Sequence, residues 1–299
     1  MRRFRPFVLA LLLAGAGVLC PPLRADTKEP ANVIAVQVHG TVSVVHGKTA
    51  APLAVKDNDA LAAGDIVETA PLSSVVLVLP NGSVVSLRER SRLAITLVLQ
   101  SPFAAPDLVV YDNLKPEPST SSTSLELMFG ELVAQVRKLV SGSDLAIKTP
   151  VGTATVKGTE FGITYSEDTA GEANYRLSTA TGLVVFSLTG GKPVEAGMHR
   201  QVEVRAHVGK AGVKVHQVES RLLPEETRAR IQSQNQTARR EVNQTLQRAK
   251  ALRNAPKPPE DRTVKPEPPG DALREKKPEP ARKPEPAKKP EKPRRPGGI

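Results

Sequence analysis

The chain of 299 residues has no tryptophan, three tyrosines, six phenylalanines and a single cysteine. So few rings argue against a carbohydrate site built on aromatic stacking platforms. The one thiol, Cys20, lies in the first 25 residues, so a chain cleaved after Ala25 has no disulfide and no thiol chemistry. The five histidines (His39, His46, His199, His207 and His216) form no His-x-x-x-His or Glu-adjacent metal pattern. His39 and His46 flank a hairpin, where a structural role is the simpler reading. Asp57, Asp59 and Asp65 lack the glycine-and-glutamate frame of a calcium loop, and turn chemistry accounts for them. No Gly-x-Ser-x-Gly elbow and no phosphate loop is present. These gaps leave no catalytic pair to name, and the expectation is a non-enzyme without metal or cofactor.

Charge is unevenly placed. Residues 1–25 carry +4, residues 26–219 carry −3, and residues 220–255 and 256–299 carry +5 each, which gives the whole chain +11. The globular stretch is therefore slightly acidic, which argues against specific nucleic-acid binding. Met1–Ala25 reads as a secretory signal. Arg2, Arg3 and Arg5 form its charged start, Phe7 to Leu19 its apolar run, and Leu23-Arg24-Ala25 its cleavage site. Thirteen apolar residues fall short of the ~20 that span a bilayer. Leu19 before Cys20 disfavours lipidation. Export to the periplasm, the cell envelope or beyond is the expectation.

From residue 33 to 110 the sequence alternates as consecutive strands: Val36 and Val38, then Val42 and Val44 after the turn His39-Gly40-Thr41. Val75 to Leu79 is apolar on both faces and reads as a covered central strand. Asn81-Gly82 between apolar runs signals a tight hairpin in which both central residues take positive φ. Prolines 102, 106, 116 and 118 and the run Ser119–Ser124 read as a loop or insertion over 101–124. Strands resume at Leu125 and continue to about Val218. Four glycines between extended runs recur at unequal spacings, so a two-sheet sandwich is a better fit than a solenoid.

The period changes near Leu222. Pro224-Glu225-Glu226 is a helix start, and Ile231, Ala238, Val242, Leu246, Ala249 and Leu252 form a thin stripe over 220–255. The stripe suits packing on the β domain or weak coiled-coil self-association. Residues 256–299 hold 13 prolines in Lys-Pro-Glu-Pro units. Their low apolar content predicts a disordered, extended basic tail able to touch anionic wall polymer or membrane.

The stretch that organises the chain is Lys148 to Ile163, read as strand, turn, strand. It carries Thr149, Pro150, Gly152, Lys157, Gly158, Thr159, Glu160 and Phe161. Its glycines are expected to supply positive φ or close approach, and Glu160 is expected to bind turn amides at a strand end. With Leu61-Ala62-Ala63-Gly64-Asp65-Ile66, Asn81-Gly82-Ser83 and Ser91-Arg92-Leu93, this stretch resembles the signature of the FecR domain over most of 33–205. The resemblance implies an extracytoplasmic β domain that receives or relays protein contacts. It makes Gly64, Asp65, Asn81, Gly82 and the eight residues above family-motif positions, structural in role. Characterised members place a cytoplasmic domain and a membrane helix before the periplasmic part, whereas this chain starts with the signal. The expectations are a mainly β, two-sheet or jelly-roll-like domain over 26–219, one long helix and a tail, with an unidentified envelope protein as partner. A polysaccharide-binding, adhesin-like module is the alternative.

Overall fold

The computed structural model describes residues 27–47, 51–103 and 116–254, with side chains through Thr245. The signal (1–25) and the tail (256–299) lie outside the described residues. Ten strands lead to the middle of the domain: β1 (Glu29–Pro30), β2 (Val33–His39), β3 (Val42–His46), β4 (Leu53–Ala54), β5 (Ala60–Leu61), β6 (Asp65–Thr69), β7 (Ser74–Val78), β8 (Val84–Leu87), β9 (Ser91–Gln100) and the 15-residue β10 (Ser121–Gln135). Eight more follow: β11 (Asp144–Thr149), β12 (Gly152–Val156), β13 (Glu160–Glu167), β14 (Glu172–Thr181), β15 (Val184–Leu188), β16 (Pro193–Ala196), β17 (Arg200–Gly209) and β18 (Gly212–Leu222). Helix α1 (Glu225–Asn254) ends the domain.

The strands form two layers that share β10. The first sheet runs β4-β3-β6-β9-β10-β11-β12-β15-β16, with β1 on the far end of β9. The second runs β5-β2-β7-β8-β10-β13-β14-β17-β18. Among the described strands all pairings are antiparallel except β10 with β11, and an isolated parallel bridge joins Pro116 to Lys138. Residues 121–129 of β10 belong to the first sheet and 130–135 to the second. Leu125 and Leu127 bury themselves in one half and Leu132 and Ala134 in the other. A register shift at Leu127/Phe129 changes the parity between them, so both halves aim apolar residues at the same core. That core lies between the layers. It includes Leu93, Ile95, Ile147, Val156 and Phe186 from the first sheet, and Leu77, Leu87, Phe161, Ile163 and Tyr175 from the second. The Tyr175 and Phe186 rings stack across it, centroids 4.1 Å apart and 11° from parallel.

Helix α1 crosses the outer face of the second sheet. Ala238 and Val242 pack on Ile34, Val36, Val76, Val78 and Val84, and Ile231 packs on Val133 and Ala180. This explains why Val75–Val78 is apolar on both faces: one side meets the core and the other meets the helix. Asn235 donates to Ala134 O at 3.4 Å, Gln37 to Thr245 Oγ1 at 3.1 Å, and Arg230 pairs with Glu131 at 3.1 Å.

Three local expectations are corrected. Residues 121–124, read with the loop, begin β10; the loop, part of which lies outside the described residues, ends before Ser121. The hydroxyls mimic a loop composition, but those of Ser121 and Ser122 have partners within the domain. Ser121 donates to Glu117 at 2.5 Å and Ser122 to Asp144 at 2.7 Å. Of Asn81 and Gly82, only Gly82 takes positive φ, +84°. Pro80 ahead of them fixes a negative φ, and the loop closes through Gly82 N–H to Leu79 O (2.8 Å) and Leu79 N–H to Ser83 O (2.9 Å). The helix starts at Glu225, because residues 220–222 still pair with β17 as the end of β18.

Candidate functional site

The motif residues occupy places where the chain changes layer. Lys157, Gly158 and Thr159 carry the chain from β12 in the first sheet to β13 in the second. Gly158 has φ +119°, and a Cβ there would stand 2.9 Å from Lys138 Cα. No L side chain tolerates both conditions. The next crossing, Thr181 to Leu183, lies against it: a Cβ on Gly182 would meet Gly158 O at 2.5 Å. Thr159 joins the crossings. It exchanges backbone hydrogen bonds with Val136 (2.9 and 3.1 Å) and donates through Oγ1 to Leu183 O at 3.1 Å.

Asn81 and Gly82 belong to the same end of the sandwich. Asn81 Oδ1 accepts from Ser83 N–H (3.0 Å), and its Nδ2 donates to the buried Glu117 (3.1 Å). Glu117 also accepts from Val140 N–H at 2.8 Å, while Ser83 Oγ accepts from Arg137 N–H at 3.1 Å. These bonds tie the β7–β8 loop to the segment beside Gly158. A buried carboxylate holding a backbone amide, an amide side chain and a hydroxyl is well satisfied and acts as a structural knot.

At the other end of β12, Thr149 donates through Oγ1 to Gly152 O at 3.1 Å, and Pro150 O accepts from Thr189 at 3.3 Å. Gly152 is small for a different reason from Gly158. A Cβ there would lie 2.5 Å from Ser187 O and 2.6 Å from the Phe186 ring. Phe161 is fully buried in the core. Gly64 and Asp65 form a separate turn. Asp65 accepts from Ala62 N–H at 2.8 Å and lies 2.7 Å from His46 Nδ1.

Glu160 departs from expectation. Its backbone N–H donates to Thr181 Oγ1 at 3.1 Å, but its carboxyl sits on the outer face beneath α1. Burial there raises its pKa above the ordinary glutamate value, and the charge of Arg239 on the helix opposes that rise. The alternation of Glu160 and Phe161 was legible, but the helix above them belongs to a segment about 70 residues later and gave no local signal.

Most of the twelve motif residues thus sit at corners and turns, with Phe161 in the core and the Glu160 carboxyl on the outer face, and the twelve do not converge on one pocket. Among the described residues, no group of three or more His, Cys, Asp or Glu could hold a metal. The solvent-facing features come from pairings that no local pattern announces. On the outer face of the second sheet, Glu203 receives hydrogen bonds from Arg176 Nε (2.8 Å), Arg221 Nη2 (2.9 Å) and Gln201 Nε2 (2.8 Å). Partial burial opposes ionisation of Glu203, but the arginine bonds and charges outweigh it and hold the carboxyl below its ordinary range. A cleft of about 300 Å³ opens between α1 and the β2–β7–β8 face, walled by Gln37, His39, Arg88, Gln234 and Glu241 among others. Gln37 reaches into it from a bulge where its φ is +54°.

Residues 65–185 match the model of the FecR protein family. The match is shorter than the 33–205 of the sequence resemblance and contains the whole Lys148–Ile163 stretch. No curated protein matches the chain. Two crystal structures of a candidate anti-sigma factor from Parabacteroides distasonis align at 14% identity with a TM-score of 0.37, over 54% of this chain and 61% of theirs. The aligned part is therefore about three fifths of that protein's length. On the family match, the chain carries a FecR domain over residues 65–185.

Proposed function

We propose that the chain is an exported, non-enzymatic envelope protein whose FecR-type domain acts as a protein-interaction scaffold or sensor. The supporting observation is the use made of the family motif. Its most distinctive residues, Lys157 to Phe161, lock two sheet crossings together, so the motif maintains a rigid platform and leaves recognition to the outer faces. The Arg176–Glu203–Arg221 ladder is one such face, with charged groups fixed by mutual hydrogen bonds. Fixed, solvent-facing charges suit selection of a protein partner by electrostatic complementarity.

The test is capture from envelope extract with the intact chain, in parallel with binding to isolated peptidoglycan. The expected result, at an ionic strength high enough to screen the basic tail, is one or a few proteins retained by the wild type and lost on Arg176→Glu, with no saturable binding to the polysaccharide. Saturable peptidoglycan binding without protein capture would overturn the reading in favour of a wall-binding module.

A further inference from the structure

Besides the two-residue β1 beside β9, four strands end the two sheets among the described residues, and three of them are poor templates for another chain. β4 and β5 have two residues each, and β16 has four and begins with Pro193. β18 differs. It has 11 residues, contains no proline, and among the described residues pairs only with β17. An unpaired strand of that length presents a row of open backbone donors and acceptors.

β18 also overhangs the core. The first sheet stops at β16, which lies against β14 and β17 of the layer above. Val202 and Val204 of β17 are buried, yet their partners on the same face of β18 lie over open space. Val218 is 40% exposed and Leu222 is 73% exposed. A bulge at His216, between the pairs Arg205–Gln217 and Ala206–Val215, leaves residues 217–222 as the regular part of the edge. There Val218, Ser220 and Leu222 share the inner face, and Glu219 and Arg221 the outer.

We propose that two copies of this chain join through antiparallel pairing of β18 about a two-fold axis at Ser220. A two-fold axis normal to the sheet keeps inner residues opposite inner and outer opposite outer. Centred on Ser220, it sets Val218 against Leu222 and Glu219 against Arg221, each twice by symmetry. The exposed apolar pair is covered on the inner face, and opposite charges meet on the outer face. Neighbouring centres fail: one at Glu219 opposes glutamate to glutamate, and one at Arg221 opposes arginine to arginine. Arg221 would then lie between Glu203 of its own sheet and Glu219 of the second copy. This self-association rests on the edge itself and is independent of the identity of any envelope partner.

The experiment is sedimentation velocity on the purified chain over about 5–500 µM, with single and mixed variants. A concentration-dependent dimer is expected. Glu219→Arg and Arg221→Glu should each weaken it at least tenfold, because each creates like-charged opposites. Mixing the two variants should restore a heterodimer. The arginine introduced in one copy then faces the glutamate introduced in the other, and the remaining native Arg221 faces the remaining native Glu219. Misfolding of either variant does not produce that rescue. In a Cys20→Ser background, Ser220→Cys should form a disulfide dimer on mild oxidation, and Lys214→Cys should not, because the Cα atoms of directly opposed residues in an antiparallel pair, ~4.5–5.5 Å apart, fall within the ~4.4–6.8 Å that a disulfide spans. A monomer at all concentrations, a dimer indifferent to both charge variants, or no heterodimer on mixing would overturn the proposal.

Discussion

Gly158→Ala tests whether the motif maintains the layer crossing. The added methyl meets two penalties. At φ +119° an L residue is strained, by roughly 1–3 kcal/mol. The methyl would also stand 2.9 Å from Lys138 Cα and 3.4 Å from Arg137 O. Both are backbone atoms, held by the Ser83–Arg137 and Thr159–Val136 bonds, so they cannot yield as a side-chain tip would. Forcing them apart adds on the order of 1–3 kcal/mol, as overpacking does. The expected loss is about 2–6 kcal/mol, and with ~2–4 °C per kcal/mol for a domain of this size, the midpoint should fall by ~4–24 °C. Gly64→Ala is the control. Its φ is +100° with open space around the added methyl, so it carries strain without contact and should lose about 1–3 kcal/mol. Thermal and urea unfolding followed by circular dichroism measure both. A Gly158→Ala loss below about 0.5 kcal/mol, or equal losses for the two variants, would refute the claim that the crossing is closed by backbone contact.

Glu160, with a pKa raised by burial, binds protons more readily folded than unfolded, so its share of stability falls as pH rises through and above the ordinary glutamate range. Glu160→Gln should therefore flatten that part of the stability–pH curve, read from urea midpoints between about pH 4 and 8. Glu203 has the opposite sign: its lowered pKa contributes stability that is lost as pH falls through the folded value, and Glu203→Gln should abolish an acid-side decline. Removing residues 256–299, whose net charge is +5, should reduce retention on anionic cell wall at low ionic strength and change nothing at high salt. N-terminal sequencing of the protein from cell fractions should start at Asp26 in an exported fraction, and a cytoplasmic chain starting at Met1 would contradict the export reading.

Much of the fold was legible because alternation survives wherever one face is buried. The pair Val75–Leu79 and Val84–Leu87, the stretch Lys148–Ile163 and the helix start at Pro224 all carried local signals. What failed to show has a common cause, which is dependence on distant chain. The Ser119–Ser124 run reads as loop because hydroxyls resemble loop composition until their partners, Glu117 and Asp144, are placed. The Asn81-Gly82 pair signals a hairpin, but Pro80 changes which turn closes it. The Arg176–Glu203–Arg221 ladder joins three strands separated by 27 and 18 residues, and no periodicity marks such a row.

The same distinction explains why a family signature can be specific and still say little about chemistry. A residue becomes obligatory where geometry leaves no alternative, and in a sandwich with alternating layers that happens at the crossings. Gly158 must lack a side chain because Lys138 is there, and Gly152 because the Phe186 ring is there. Thr159 must offer a hydroxyl to Leu183 O. Outer faces carry no such geometric restriction, because a side chain there meets solvent or whatever docks on it. On the proposed scaffold role, the surfaces to test are the strands that the motif supports, above all β14, β17 and β18, where fixed charges and an open edge lie side by side.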